Sequence, residues 1–583
     1  MIFSLLSTDK PLMTTKFKTL LVIILFFLPA LSIAQTQTSF IESLNAPNAW
    51  VDSVFKKLNK RERIAQLFMV RAHTDKGKAY EDSIAGVIKK ENIGGVVFFQ
   101  GGPGRQAILT NHYQSISKVP LLIAMDAEWG LGMRLDSTIS YPYQMTLGAI
   151  QNNNLIYEMG RQVAMDFKRL GMHVNFAPDA DINNNPKNPV IGYRSFGDNK
   201  YNVTAKVGAY MKGLQDNNVM VSLKHFPGHG DTDVDSHYDL PQLPFSRARL
   251  DSLEMYPFRE LIKQGASGVM VAHMNIPALD NTKNLPSTLS KPIVTTILKE
   301  EMGFKGLVFS DAMGMKGVVK FFPNGEADVR GIIAGNDVIE LSENSVRAVK
   351  LVRKAIRTNR LSWERIDESV KKILTAKYWV GLNNLQPLKT TNVVSELNRP
   401  ESIALNQRLA DAAVTILKSD SQIKGLDKNK KTAIITMGAG PSNTFHNMLK
   451  SDLDNSVHFI LPKDASANDI ANVNKELRNY DQIIVGIQDM RKRPPATLDY
   501  NNSMKLFIAE LAKMNSIMVV FANPYTIAGL PGIEAAKTIV LNYQNSEEAQ
   551  KASARVVSGK LKAGGKLPVS INASFTNGDG VVQ

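Results

Sequence analysis

The sequence predicts an α/β protein in which a (β/α)8 TIM-type barrel is followed by a smaller α/β/α sandwich. Two observations carry this. From about residue 50 to 385, short uninterrupted apolar runs alternate with helical patterns, and such runs belong to strands buried on both faces of a parallel sheet. After a polar stretch containing Pro387 the same rhythm restarts. At 583 residues the chain is also too long for one ordinary core.

The barrel strands are expected, in order, at 64–70 (IAQLFMV), 93–99 (IGGVVFF), 121–126 (LLIAMD), 174–179 (VNFAPD), 219–226 (VMVSLKHF), 268–274 (GVMVAHM), 307–313 (LVFSDAM) and 337–341 (DVIEL). The first of these also fits a helix. Between them lie helical stretches such as NNNLIYEMGRQVAMDFKRLG, YNVTAKVGAYMKGLQDN, RLDSLEMYPFRELIKQG and SVRAVKLVRKAIRTNRL. Several end in Gly or Asn, as helix stop signals do. The barrel is assigned to 35–385, and a linker with its connecting helix to 386–415. A long helical pattern, ESIALNQRLADAAVTILKS, spans that junction. The sandwich, 416–583, has five expected strands at 432–438, 457–462, 481–487, 516–523 and 537–543.

The N-terminus reads as an export signal. Lys16 and Lys18 precede the apolar run TLLVIILFFLPALSIAQ, and Ser-Ile-Ala offers a cleavage site after Ala34. A membrane anchor is the competing reading, but the run is short for a bilayer span and Pro29 interrupts it. The signal is therefore placed at 1–34, and the mature protein is expected in the periplasm or secreted, with no stable membrane span. With no cysteine in the chain, disulfides and thiolate metal ligands are excluded. The net charge of +15 is compatible with a polyanionic partner. No nucleic-acid motif or arginine-rich arm accompanies it, so nucleic acid is not an expected partner.

In a barrel of this kind chemistry gathers at the C-terminal ends of the strands, and polar residues cluster there. Asp126 and Glu128 follow the third strand, with Arg134 just beyond; Asp179 and Asp181 follow the fourth, and Arg194 lies in the ensuing loop. Lys224 and His225 end the fifth, His273 the sixth and Asp311 the seventh. A single strand-end Asp is usually a helix cap or turn former. Charge on five strands aimed at one mouth is a different signal.

The densest polar stretch is KHFPGHGDTDVDSH, 224–237, with three of the chain's nine histidines. Three chemistries compete for it. A metal site would use His225, His229 and His237 with Asp231 or Asp235, but Pro227 and Gly228 break the helix that would put the first two on one face. A phosphate cradle would need a P-loop or GxGxxG, and neither is present. An acid/base loop remains.

Together, KHFPGHG-x4-DSH, IGYRSFG, NFAPDADINNNPKNPVIG and SDAMGM resemble glycoside hydrolase family 3, in its bacterial β-N-acetylglucosaminidase branch. The resemblance implies a retaining, exo-acting β-N-acetylhexosaminidase that acts on N-acetylglucosaminides, including peptidoglycan fragments, and that needs no metal or organic cofactor. It implies Asp311 as nucleophile, His237 as general acid/base and Asp235 as the residue that orients His237. It further implies that Asp126, Arg194, Lys224 and His225 bind the terminal sugar, supported by Arg134. Two residues depart from the family pattern. Trp129 replaces a glycine in the 126–134 motif, and Asp179 stands where an apolar residue is usual.

The roles are chemically coherent. A retaining glycosidase needs a carboxylate on one face of the anomeric carbon and a proton donor at the leaving oxygen. Histidine, with an ordinary pKa near 6.5, is already close to working pH, and a carboxylate on its other nitrogen fixes the tautomer. Gly228 and Gly230 are expected to act as a hinge that brings His237 over bound sugar. Histidine also does not repel an anionic acceptor, so phosphate is a conceivable rival to water. A family 3 β-glucosidase, an N-acetylglucosaminide phosphorylase and a non-catalytic envelope-binding protein are the alternative functions. The sandwich is expected to stabilise the barrel and to contribute no catalytic residue; whether Arg491, Lys492 and Arg493 reach the sugar pocket or grip an anionic polymer is left open by the sequence.

Overall fold

The computed structural model describes residues 38–236, 238–419, 426–440 and 443–582; the expected signal at 1–34 and His237 lie outside them. Eight parallel strand positions follow one another around a closed barrel. β1 (Phe68–Ala72), β2 (Gly95–Phe98), β3 (Leu122–Met125), β4 (Val174–Asn175) and β5 (Met220–Val221) pair in chain order. Only Ser222 separates β5 from β6 (Leu223–Phe226), which continues through β7 (Gly268–Val271) and β8 (Leu307–Ser310). β9 (Ile339–Glu340) closes the ring. It pairs with β1 on one side, and on the other the Val338 and Val308 backbones bond at 3.0 Å.

Alternation along each strand separates two apolar layers. Val97, Leu122, Ala124, Met270, Leu307 and Phe309 pack inside the barrel, where the Phe176 and Phe309 rings meet edge to face at 5.4 Å. Their neighbours Val96, Phe98, Ile123, Met125, Val269 and Val308 face the outer helices. Both faces being covered is the reason the strands read as unbroken apolar runs.

Two expected elements differ in detail. In the first strand, Ile64 and Ala65 close a helix, Lys60–Ala65, so β1 begins four residues later. RLDSLEMYPFRELIKQG divides into Arg247–Ser252 and Tyr256–Lys263, with Pro257 in the first turn of the second helix, a position that tolerates proline.

Beyond the barrel the helix Pro400–Ala413 ends before TILKS, which is not helical as expected but forms a strand, β10 (Thr415–Ser419). It lies antiparallel on the edge of a six-stranded sheet in the order β10-β15-β14-β13-β11-β12. The other members, β11 (Thr432–Met437), β12 (Ser456–Leu461), β13 (Gln482–Gln488), β14 (Ser516–Phe521) and β15 (Thr538–Leu541), are parallel. The β-branched residues of TILKS suit a sheet edge, although their spacing also continues the helical pattern. Sandwich and barrel are bonded together: Gln544 accepts from the Tyr143 backbone and Thr146, both at 2.8 Å, and the Tyr525 hydroxyl donates to the Asn183 carbonyl at 3.2 Å. Among the described residues, no helix is long and apolar enough to cross a membrane.

Candidate active site

The strand ends carry an alternating chain of charge. Lys224, on β6, extends its Nζ between Asp126 Oδ1 at 2.9 Å and Glu128 Oε1 at 2.8 Å. Arg134 Nη2 donates to the other Asp126 oxygen at 2.7 Å. Arg194 grips Glu128 with Nη2 at 2.7 Å and Nε at 3.0 Å. The sequence is thus Arg134–Asp126–Lys224–Glu128–Arg194, nearly all of it out of water. Burial alone would raise both carboxyls. The cations outweigh it, holding Asp126 well below the usual range and Glu128 at about 2. Burial likewise works against the Lys224 ammonium, which Asp126 and Glu128 nevertheless hold above its ordinary value.

His225 joins this chain to a second one. Its Nδ1 lies 2.8 Å from Asp181 Oδ2, and its Nε2 faces Arg194 Nη2 at 3.4 Å. A guanidinium only donates, so Nε2 accepts and Nδ1 carries the proton. Asp181 also accepts the backbone N–H of His225 at 3.2 Å and of His229 at 2.6 Å. The His225 and Asp126 rim groups are therefore each fixed by partners deeper in the barrel. Both groups are thus held in place before any ligand arrives.

Asp179, the departure from the family pattern, lies fully buried beneath this network. Its Oδ1 accepts from the Asp181 backbone at 3.0 Å, while Oδ2 stands 3.9 Å from Arg194 and 3.8 Å from His225. Burial first, then the charge of Asp181, raises its carboxyl well above the usual range, and Arg194 opposes this. Asp179, Asp181 and His225 form a cluster of metal-ligating type. Three N–H donors already converge on Asp181, which is the environment of a hydrogen-bonded carboxylate. The other histidine considered as a ligand turns away. His229 Nδ1 meets Thr232 Oγ1 at 2.7 Å, and burial followed by the nearby His225 lowers it to about 4. Asp231 is engaged by Asn184 and Arg249.

Asp311 follows β8 directly. Its backbone N–H donates to Val271 at 3.0 Å and its Oδ1 accepts from the Ala312 N–H at 2.7 Å. His273, fully buried, meets Thr288 Oγ1 with Nδ1 at 2.6 Å and the Ala312 carbonyl with Nε2 at 3.1 Å. It thereby fixes the peptide next to Asp311 and has no access to sugar. The Phe-Pro-Gly-His-Gly turn is packed as well. A Cβ on Gly230 would sit 1.7 Å from the Ile182 carbonyl oxygen, and Gly228 adopts a φ of +126° against Glu254. These glycines permit the close approach of the packed turn.

Asp126, Arg134, Arg194, Lys224, His225, Asp235 and Asp311 all border one cavity of about 800 Å3. Of the proposed site residues only His237 lies outside the described residues; its neighbours Ser236 and Tyr238 border the cavity too. Trp129 forms an aromatic wall with Tyr143 at 4.9 Å and Tyr193 at 6.1 Å. The sandwich reaches the site. Its 493–497 segment and Asn523 line the cavity, and Asn523 holds that segment through the Pro494 carbonyl at 3.1 Å. Arg491 is committed to Asp489, with Nη2 at 2.7 Å, and Tyr143 donates to the Lys492 carbonyl. Arg493 is thus the cation of this trio that borders the cavity. Sequence reasoning noted Glu128 and Asp181 without giving them roles, and it passed over Arg71 and Glu340. For Glu340 the signal was present, as a charged residue ending an apolar strand.

Residues 60–376 match the model of the glycosyl hydrolase family 3 N terminal domain, over more than half of the chain. The chain belongs to glycoside hydrolase family 3. Beta-hexosaminidase A of Pseudoalteromonas piscicida is 34% identical over 367 residues, 57% of this chain and 61% of that protein. A Cellulomonas fimi protein named beta-N-acetylglucosaminidase/beta-glucosidase is 23% identical over 544 residues, 89% of this chain and 95% of its own length. Among solved structures, a family 3 beta-N-acetylglucosaminidase from Paenibacillus sp. str. FPU-7 superposes with a TM-score of 0.74 at 31% identity, over 88% of this chain and 99% of that one. The barrel-and-sandwich architecture is that of family 3, and the protein is a glycoside hydrolase whose substrate is a carbohydrate.

Proposed function

We propose that this hydrolase is a retaining, exo-acting β-N-acetylglucosaminidase of exported carbohydrate turnover, with peptidoglycan-derived muropeptides as natural substrates. The observation that carries the reading is the convergence of Asp311 with the Asp126–Lys224–Glu128–Arg194–His225 network on one cavity. The names of the Pseudoalteromonas and Paenibacillus proteins favour an N-acetyl sugar, and the export signal favours an envelope substrate.

In this reading Asp126, Arg134, Arg194, Lys224 and His225 bind hydroxyls of the terminal sugar. The Asp311 carboxylate attacks the anomeric carbon as the bond to the leaving oxygen breaks, and that oxygen takes a proton from His237, oriented by Asp235. Water then attacks the same carbon, gives its proton to His237 and releases Asp311. Two inversions return the β configuration. Burial and the fixed cations keep the binding groups in place at no cost of rearrangement during the reaction.

The test compares an aryl N-acetyl-β-glucosaminide with an aryl β-glucoside, using Asp311→Ala as control and NMR to follow the first-formed anomer. Preferential cleavage of the N-acetyl sugar with β product is expected. Preference for the glucoside, or an α first product, would refute it. The Cellulomonas protein's double name makes the β-glucosidase the second reading, and the same comparison decides between the two.

A further inference from the structure

Glu340 is the last residue of β9 and the mechanism above does not use it. Its backbone is fixed on both neighbouring strands. Its N–H donates to Ser310 Oγ at 2.9 Å, its carbonyl accepts from Met313 at 2.9 Å, and it pairs in register with Met69 on β1. The next residue, Leu341, has a φ of +48°, a left-handed conformation that a bulky side chain rarely adopts. The side chain is 4% exposed and borders the sugar cavity alongside Asp126, Asp311, Lys224 and Arg71. Its Oε2 is buried and has no hydrogen-bond partner among the described residues. Buried polar atoms almost always find a partner. A carboxyl with an unpartnered oxygen at the wall of a binding cavity can bond a group that arrives with the ligand.

We infer that Glu340 is a specificity-determining residue of the sugar pocket, whose carboxyl group reads one hydroxyl of the terminal sugar through hydrogen bonds. This rests on the cavity being the sugar-binding pocket. Burial first, then the charges of Asp126 and Asp311, raise the Glu340 carboxyl well above the usual range, and Lys224 and Arg71 oppose this only in part. Burial and the two neighbouring carboxylates thus favour the protonated form of this group. A protonated carboxyl offers one donor and one acceptor, the complement of a hydroxyl. A carboxylate-bearing sugar would bring a negative charge against Asp126 and Asp311, so the same placement selects a neutral substituent.

The experiment measures kcat and KM of the wild type, Glu340→Gln and Glu340→Leu on the aryl β-glycoside that the wild type cleaves best, and on its monodeoxy analogues. Gln keeps a donor and an acceptor without charge. It is expected to stay within about fivefold of wild type in kcat/KM, whereas Leu should lose about 30-fold or more, as is found when a site built to bond a hydroxyl loses its partner. For one monodeoxy analogue the Leu variant should lose nothing further, which identifies the hydroxyl that is read. Melting temperatures guard against a purely structural effect, since Leu removes a buried unpaired group and should not lower stability. The inference is overturned if Leu stays within twofold of wild type, if Gln falls as far as Leu, or if every deoxy analogue shows the full additional loss. Wild-type turnover itself tests the reading of the pocket, independently of how the variants behave.

Discussion

Barrel and sandwich are both built on parallel sheets of buried strands, yet they meet the same cavity in different ways. The barrel offers side chains that leave the strand ends directly: Asp126, Lys224, Asp311 and Glu340 are each within a residue of a strand. The sandwich offers a loop. Asp489 directly follows β13 and Asn523 lies two residues beyond β14, and these bond to Arg491 and Pro494 to hold 489–497 against the barrel rim. A side chain on a strand end is as rigid as the sheet, while a residue on a braced loop is placed less sharply. Under the proposed function, the difference leaves chemistry and recognition of the terminal sugar to the barrel, and contacts beyond that sugar to the sandwich loop.

Four substitutions sharpen or break that division. The largest effect is expected at Glu128, which ties Lys224 to Arg194. Glu128→Gln leaves both cations buried with half their charge uncompensated. It should lower kcat/KM by about 100- to 1,000-fold and destabilise the protein by about 3–5 kcal/mol, read by steady-state kinetics and urea unfolding. A comparable loss from Asn523→Ala in the sandwich would erase the distinction.

Next comes His237. If it protonates the leaving oxygen, His237→Ala should slow natural disaccharides by about 100-fold or more. Aryl sugars whose leaving groups need no proton should be slowed far less. Equal slowing of both would remove His237 from proton transfer.

Arg493 should have a smaller effect, confined to substrates that extend beyond the terminal sugar. Arg493→Ala is expected to raise KM for disaccharides and muropeptides by about 3- to 10-fold, in line with the loss of one exposed charged contact, and to leave aryl monosaccharides unchanged. An effect on the aryl sugars would place the sandwich in the terminal-sugar pocket itself.

The smallest effect concerns stability. The folded-state pKa of His229 is depressed to about 4 by burial and by His225. Its neutral, buried form contributes stability that is fully present above about pH 6.5 and is lost as pH falls toward 4. The gap in melting temperature between wild type and His229→Gln should therefore narrow across that window. A constant gap would mean that His229 does not titrate differently on folding.

The barrel was legible because strands buried on both faces must be apolar throughout, which leaves a series of unbroken runs with only the first open to a helical reading, and because charge at their ends has few structural reasons to recur. Asp311 and Lys224 were recognisable on those grounds together with their motifs. Other features were not. TILKS fits a strand as well as a helix, and only the edge of the sheet beside β15 decides the matter. Asp179 looks like any turn-forming aspartate until Arg194 and His225 are seen above it. Glu340 ends its strand as the other site residues do, but no motif surrounds it, and its meaning comes from Asp126 and Asp311, which are distant in sequence. The basic run Arg491–Arg493 was visible in the sequence, but its place at the rim was not, because a loop has no periodicity and its position depends on the docking of two sheets.

The central claim, that Asp311 forms a covalent bond to the sugar, is tested most directly by trapping. An N-acetylglucosaminyl fluoride bearing a second fluorine at C5 should slow release of the intermediate enough for mass spectrometry. The account predicts an intact mass increased by one glycosyl residue and a peptide carrying that increase on Asp311. An adduct on a different residue, or continued turnover of the reagent with Asp311 unmodified throughout, would contradict it.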